Sequence, residues 1–127
     1  MEKTKEAILN ALIEASDQYG VEWVLGRLLG GVGTIRLPLS QGVYDTPIEE
    51  LDLSVRGSNG MKRTNVFTIG GVVDLVNADA LIQVRNLGKK TKSEIKTKLL
   101  IYCYERLTRR EKGFFFQEYL TRNGYEN

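Results

Sequence analysis

Apolar residues at the start of the chain recur at intervals of three and four, which is the period of an amphipathic helix. This pattern predicts one helix over residues 3–19, ended by Gly20, and a second short helix over residues 21–29. The apolar positions behind these two predictions are Ile8, Leu12, Ala15, Tyr19, Trp23, Val24, Leu28 and Leu29.

The pattern changes after the second helix. Glycines at positions 30, 31 and 33 interrupt it, and "TIRLPL" (34–39) then alternates apolar and polar residues. Such alternation predicts a short strand that ends near Pro38. The turn-rich stretch 40–47 follows, and we take it as a boundary between modules.

The rest of the sequence is expected to be helical. Helices are predicted to begin near residues 47, 54, 68, 80, 91 and 108, and the last one ends at residues 123–124. Thr91 with Glu94, and Thr108 with Glu111, have the spacing of capping boxes. The predicted fold is mainly α, a compact helical module with a helix-hairpin-helix, preceded by a two-helix plus one-strand element. We divide the sequence into 1–45, 46–107 and 108–127.

The amino-acid composition excludes several classes of protein and several kinds of site. The 127 residues are 42% hydrophobic and 27% charged, as in a globular domain, and neither a membrane-length apolar run nor a signal peptide is evident. We therefore expect a cytoplasmic protein without contact to membrane. The absence of histidine and the single Cys103 exclude the usual zinc site, a histidine triad and an internal disulfide. Cys103 lies among apolar residues and is expected to be buried, and no cofactor is implied.

Charge is segregated along the sequence, although the net charge is only +2. Residues 49–52 are acidic, whereas the stretch from Arg85 to Lys98 holds six basic residues against Glu94 alone. Segregation of this kind indicates separate surfaces for separate partners.

The helix start after Gly88 is unusually basic. A helix N-terminus already carries a partial positive charge. Lysines there add to this charge, so they are unfavourable unless an anion is present. We place Gly88 in a tight turn that allows close backbone approach, followed by free amides, the Thr91 hydroxyl, Lys89 and Lys90. A nucleic-acid phosphate would complete this arrangement. The alternative is an ordinary solvated turn with scattered lysines.

A second basic patch lies in "VRGSNGMKR" (55–63), which includes Lys62 and Arg63. Arg56 and Asn59 are three apart and share a face of the predicted helix. An arginine beside an asparagine suits a narrow minor groove. The alternative is a surface arginine beside a capping asparagine.

"IEELDLSVRGSNGMKR" followed by "VRNLGKKTKSEIKTKL" closely resembles the C-terminal domain of the bacterial RNA polymerase alpha subunit, over residues 46–107. The resemblance implies a compact four-helix domain that inserts an arginine into the minor groove of A/T-rich upstream promoter DNA. It implies that Glu50 and Asp52 lie on a surface that touches sigma factor, although acids in a first helical turn also have a capping explanation. The DNA-binding residues expected from the patches and the resemblance together are Arg56, Asn59, Gly60, Lys62, Gly88, Lys89, Lys90, Thr91 and Glu94.

The resemblance has limits. Residues 68–84 align only with an insertion and a deletion, so the family's activator-contacting surface is not carried over. Only about 45 residues precede the module, so we expect that the protein is not an alpha subunit itself. The stretch "ALIEASDQYGVEWVLGRLLGGVGTIRLP" resembles the N-terminal dimerisation element of Mor-type phage transcription activators, over residues 1–40. Packing of these residues against the second module is the alternative to a dimer.

These observations predict a non-enzymatic DNA-binding protein of bacterial or phage origin that acts in transcription regulation. We expect a homodimer that grips A/T-rich double-stranded DNA and contacts RNA polymerase or sigma factor. The alternative is a polymerase-alpha mimic that serves as a protein-interaction module and engages sigma factor or an activator.

Overall fold

Helices make up nearly all of the regular structure in the computed structural model, which describes residues 2–40 and 42–125. Two short 3₁₀ helices, Ile48–Leu51 and Leu81–Gln83, connect the longer elements. The α-helices in the described residues are α1 (Glu2–Tyr19), α2 (Val21–Leu28), α3 (Val55–Arg63), α4 (Ile69–Asn77), α5 (Lys89–Glu105) and α6 (Arg109–Arg122). The prediction of a mainly α fold is confirmed.

Three helices begin at the hydroxyl residues that the sequence indicates. The side chains of Ser54, Thr68 and Thr108 each accept a hydrogen bond from a backbone amide three residues later. At α6 the Glu111 carboxylate also accepts the Thr108 amide hydrogen at 2.8 Å, so this capping box is confirmed. These local bonds satisfy amides that a helix start otherwise leaves unpaired.

The predicted strand over residues 34–39 is wrong. The segment is extended and buries Ile35 and Leu37, but within the described residues it pairs with no other strand. Instead, the Leu37 amide donates to Asn77 Oδ1 at 2.8 Å, and Asn77 Nδ2 donates to the Leu37 carbonyl at 3.0 Å. Asn123 makes the same pair of bonds with Thr34. Two side-chain amides thus satisfy backbone groups that a neighbouring strand would otherwise have to satisfy.

The core is continuous from α1 to α6. Val24 and Leu25 of α2 are fully buried in the same apolar cluster as Leu99 of α5 and Phe116 of α6. The rings of Phe115 and Phe116 lie edge-on to one another, with centroids 5.3 Å apart. Buried residues from all three sequence segments therefore share one core, while the division at residues 45 and 107 stays a prediction.

Cys103 lies in this core as a free thiol, as predicted. Desolvation raises its pKa to about 12, against a smaller opposing influence of Arg106. The thiol is therefore a packing group. Within the described part of the protein, none of the helices has the length and apolarity needed to cross a bilayer.

Candidate nucleic-acid interface

α3 packs closely against the turn that precedes α5. A Cβ added at Gly60 would lie 2.4 Å from Leu87 Cδ2, and one at Gly57 would lie 3.2 Å from a carboxylate oxygen of Glu94. Both glycines are buried on the inner face of α3. Small residues at these positions allow the helix to approach the start of α5, which explains why Gly60 is a glycine.

The Glu94 carboxylate joins α3 to α5. One oxygen accepts the Ser54 amide hydrogen at 2.9 Å, the other accepts the Ser54 hydroxyl at 2.7 Å, and Lys98 Nζ lies 3.2 Å away. Burial alone would raise the pKa of Glu94, but the bonds from Ser54 and Lys98 outweigh it, and the pKa is lowered. Glu94 therefore holds the start of α3, two residues before Arg56, against α5.

The predicted capping box of Thr91 and Glu94 is consequently wrong. α5 begins at Lys89 with Gly88 as its N-cap residue, so Glu94 lies beyond the first turn. Its carboxylate bonds to Ser54, forty residues away in sequence. Glu94 therefore bonds to Ser54, the N-cap residue of α3, and not to Thr91 as the spacing indicated.

The predicted role of Gly88 also needs correction. Its φ is −70°, and a Cβ there would meet nothing within 4 Å, so neither strain nor close approach requires a glycine. The left-handed residue of this turn is Asn86, with φ 61°. What Gly88 does is leave the helix start without a side-chain cap, and no acid lies in the first turn of α5. The first amides remain available to a ligand.

The lysines of α5 fall into two groups. Lys92, Lys96 and Lys98 donate to backbone carbonyls, those of Ile82, Gly33 and Asp52. Lys89 and Lys90 are exposed and have no partner in the described residues, while Thr91 is half-buried. Lys89 and Lys90 are therefore the unpaired cations beside the uncapped amides.

The outer face of α3 carries the second predicted set. Arg56 and Asn59 are exposed, and Arg63, one turn further along, extends the same face. Lys62 is instead paired with Glu49 at 2.8 Å, an interaction that lowers the pKa of Glu49. The sequence places Lys62 and Arg63 in the same basic patch, and nothing in it indicates that Lys62 is paired while Arg63 is exposed.

The two predicted sets are thus carried by elements in direct contact. Ser54 bonds to Glu94, and Gly60 lies against Leu87, so α3 runs alongside the start of α5. The helix that carries the arginine face is therefore packed against the first turns of α5 and the turn before it.

Glu50 lies within the first 3₁₀ helix, and Asp52 follows directly after it. Both are exposed, and their carboxylates have no partner in the described residues. They border a shallow pocket of about 270 Å³ that Tyr102 and Glu105 also line.

Residues 39–100 match the family model that describes the C-terminal domain of the alpha subunit of bacterial RNA polymerase. The resemblance to this domain is confirmed. We call residues 39–100 the alpha-type segment; it contains α3, α4 and most of α5, whereas α1, α2 and α6 lie outside it.

Relatives of the alpha-type segment are bacterial proteins named "DNA-directed RNA polymerase subunit alpha". The protein from Roseiflexus sp. (strain RS-1) is 47% identical over 64 residues, which are 50% of this protein and 20% of the relative. The Herpetosiphon aurantiacus protein is 42% identical over 64 residues, 50% of this protein and 19% of the relative. The Frankia alni protein is 51% identical over 53 residues, 42% of this protein and 15% of the relative.

The match therefore spans about a fifth of the length of the curated relatives. No solved structure matches the protein significantly. The resemblance of residues 1–40 to a phage dimerisation element stays a prediction.

Glu94→Gln should separate the positioning role of this carboxylate from a role in binding. The amide keeps the shape but weakens the bonds from Ser54, so the free energy of unfolding should fall by about 1 kcal/mol at pH 7. Because the folded-state pKa of Glu94 is lowered, its contribution to stability is present above the unfolded pKa and disappears as the pH falls through the folded one. Urea unfolding from pH 7 downward should show the variant and the parent converge.

Glu105→Gln is the matched control, since it removes the same charge from an exposed position of the same helix. Two results would contradict the positioning role. One is a free energy of unfolding of Glu94→Gln at pH 7 equal to that of the parent. The other is an equally large loss of this free energy in Glu105→Gln.

Proposed function

We propose that this is a DNA-binding, transcription-associated protein that holds A/T-rich duplex DNA through Arg56 in the minor groove and through the start of α5 on the phosphate backbone. The observation that carries the proposal is the direct contact between α3 and the start of α5, made by Ser54 and Glu94. This contact fixes a groove-binding side chain relative to a phosphate-binding helix start.

The electrostatics of α5 support the proposed phosphate contact. Its uncapped amides and partial positive charge favour an anion, and Lys89 and Lys90 add formal charge at the same place. Without an anion these charges repel one another. A phosphodiester removes that cost and releases counterions, which makes binding strongly dependent on salt.

The geometry of α3 supports the proposed groove contact. Arg56 and Asn59 share one exposed face, and the buried glycines on the adjoining side of the helix seat it against α5. A/T-rich duplexes have a narrow minor groove with enhanced negative potential, which attracts an inserted guanidinium. Asn59 can hydrogen-bond to base or sugar atoms beside it. Recognition of this kind selects groove shape more than individual bases.

The N-terminal helices support a homodimer as part of this proposal. Tyr19 and Trp23 are exposed with ring centroids 4.9 Å apart, and Leu28 of α2 is also exposed. Pairing of two copies through this surface would present two DNA-binding segments and raise affinity through effective concentration. The solution mass of the protein tests this part of the proposal.

Contact with RNA polymerase or sigma factor is a second candidate function. The free carboxylates of Glu50 and Asp52 favour it, because exposed acids beside an aromatic side chain suit a basic protein surface. Capture of polymerase holoenzyme by the parent protein, and its loss with the Glu50→Gln, Asp52→Asn double variant, is the expected result. Capture that is equal for both proteins would contradict this second function and leave the DNA-binding proposal untouched.

Lys90→Ala tests the proposed phosphate contact. The variant should bind A/T-rich and random duplexes more weakly by the same factor, because a phosphate carries no sequence information. The slope of log affinity against log salt should fall by about 0.9, the value for one phosphate contact. Fluorescence anisotropy with labelled duplexes at several salt concentrations measures both quantities.

Arg27→Ala serves as the control for charge, since Arg27 is an exposed cation on α2. It should leave affinity and salt slope close to those of the parent. Equal losses in Lys90→Ala and Arg27→Ala would show that only net charge matters and would contradict a phosphate site at the start of α5.

A further inference from the structure

A cleft of about 630 Å³ lies between the segment that follows α2 and the helices of the alpha-type segment. Its volume is in the range of small-molecule binding sites, about 300–1,000 Å³. One wall is the outer face of α5, and the others are formed by α4, the second 3₁₀ helix and the turn at residues 32–33. Residues outside the family match therefore help to form it.

The walls of the cleft are largely apolar. Val76 and Leu81 form buried parts of the lining, Val32 is half-buried, and Ile82 is 71% exposed at the edge. An exposed isoleucine beside a recess of this size gains from an apolar molecule that covers it.

Three lysines converge on the same cleft. Lys89, Lys92 and Lys96 follow one face of α5. The lining thus carries three positive charges and one negative charge, that of Asp79. The Lys92 ammonium donates to the Ile82 carbonyl and the Lys96 ammonium donates to the Gly33 carbonyl, so both are held in place by neutral groups. Burial lowers the pKa of Lys96, with Asp79 opposing. Each ammonium keeps further donors, and the positive charge is not balanced.

We propose that this cleft binds a small organic anion, namely an apolar body that carries a single carboxylate, sulfonate or phosphate group. The apolar body would cover Ile82 and the lining of Val76 and Leu81. The anionic group would accept hydrogen bonds from Lys92 and Lys96, which lie outside the residues assigned to DNA. Charge-assisted bonds of this kind are roughly twice as strong as neutral ones, so the charge should decide the affinity.

A matched pair of fluorescent probes tests the proposal on the 127-residue protein in the absence of DNA. Anilinonaphthalene sulfonate has the required apolar body and charge, and N-phenylnaphthylamine has nearly the same body without the sulfonate. We expect saturable binding of the sulfonate at one site and at least about tenfold weaker binding of the neutral probe, the factor that corresponds to about 1.4 kcal/mol.

Lys96→Met keeps the apolar stem and removes the charge. It should lower the affinity for the sulfonate probe about tenfold and leave the affinity for the neutral probe unchanged. Ile82→Ser changes an exposed side chain that is not needed for folding, and it should weaken both probes. Arg27→Met is the control: it removes an exposed charge that does not line the cleft and should change neither affinity.

Equal affinities of the two probes for the parent protein would overturn the proposal. So would sulfonate binding that Lys96→Met and Ile82→Ser leave unchanged, since the probe would then occupy another apolar surface. Because no DNA is present, either failure leaves the proposed DNA-binding function as it stands.

Discussion

Arg56→Ala should abolish the preference of this protein for A/T-rich over random duplex DNA. Removal of the guanidinium takes away the group that responds to the potential of a narrow minor groove, while Lys89, Lys90 and the open amides of α5 remain. Affinity for the A/T-rich duplex should fall by about tenfold or more, to that of a random duplex, whereas affinity for random duplex should fall much less. Anisotropy titrations at one fixed salt concentration measure this difference.

Two controls accompany this variant. Arg27→Ala removes an equal charge from α2 and should keep the preference, and Arg56→Lys keeps the charge but loses the planar guanidinium. Arg56→Lys should bind random duplex as the parent does and retain only part of the A/T preference. If Arg56→Ala still prefers A/T-rich duplex as strongly as the parent, Arg56 is not the groove-binding residue.

Phe116→Ala should lower the free energy of unfolding by about 3–5 kcal/mol, the usual cost of truncating a buried phenylalanine. The Phe116 ring is fully buried and lies edge-on to Phe115 and Tyr104, with centroids 5.3 and 5.7 Å away. A loss of this size is a large part of the stability of a typical domain. Urea unfolding followed by circular dichroism measures it.

Phe114→Ala is a control of the same residue type on the same helix, because the Phe114 side chain is 55% exposed. It should cost less than about 0.5 kcal/mol, as surface substitutions usually do. Because α6 shares its core with α2 and α5, Phe116→Ala should unfold in one transition at a lower urea concentration. A separate early transition, with the alpha-type segment unaffected, would contradict the shared core.

The helices were largely predictable because their signals are local. The apolar period of α1 and the hydroxyl residues Ser54, Thr68 and Thr108 lie within a few positions of the structure that they specify. Burial of Cys103 followed from its apolar neighbours for the same reason.

The errors arise where a distant partner replaces a local one. Residues 34–39 alternate like a strand, but Asn77 and Asn123 provide their hydrogen bonds from positions far along the sequence. Thr91 and Glu94 have the spacing of a cap, but Ser54 takes the carboxylate. No local pattern reveals such pairs, because they depend on how the helices pack.

The site was predictable in its residue types and less so in their roles. Arg56, Asn59, Lys89 and Lys90 are exposed, as binding residues must be. Of the remaining predicted DNA-binding residues, Gly60 and Glu94 also bring α3 and α5 together, and Lys62 is paired with Glu49. Packing and pairing of this kind become visible only in three dimensions.

We propose that the arginine face of α3 and the open start of α5 form one DNA-binding surface. A titration of the isotopically labelled protein with an A/T-rich duplex, followed by amide chemical shifts in NMR spectra, tests it most directly. We expect the amides of residues 54–60 and 88–91 to shift together and to saturate at the same duplex concentration. Shifts confined to α1 and α2 or to residues 49–52, with residues 54–60 and 88–91 unchanged, would contradict it.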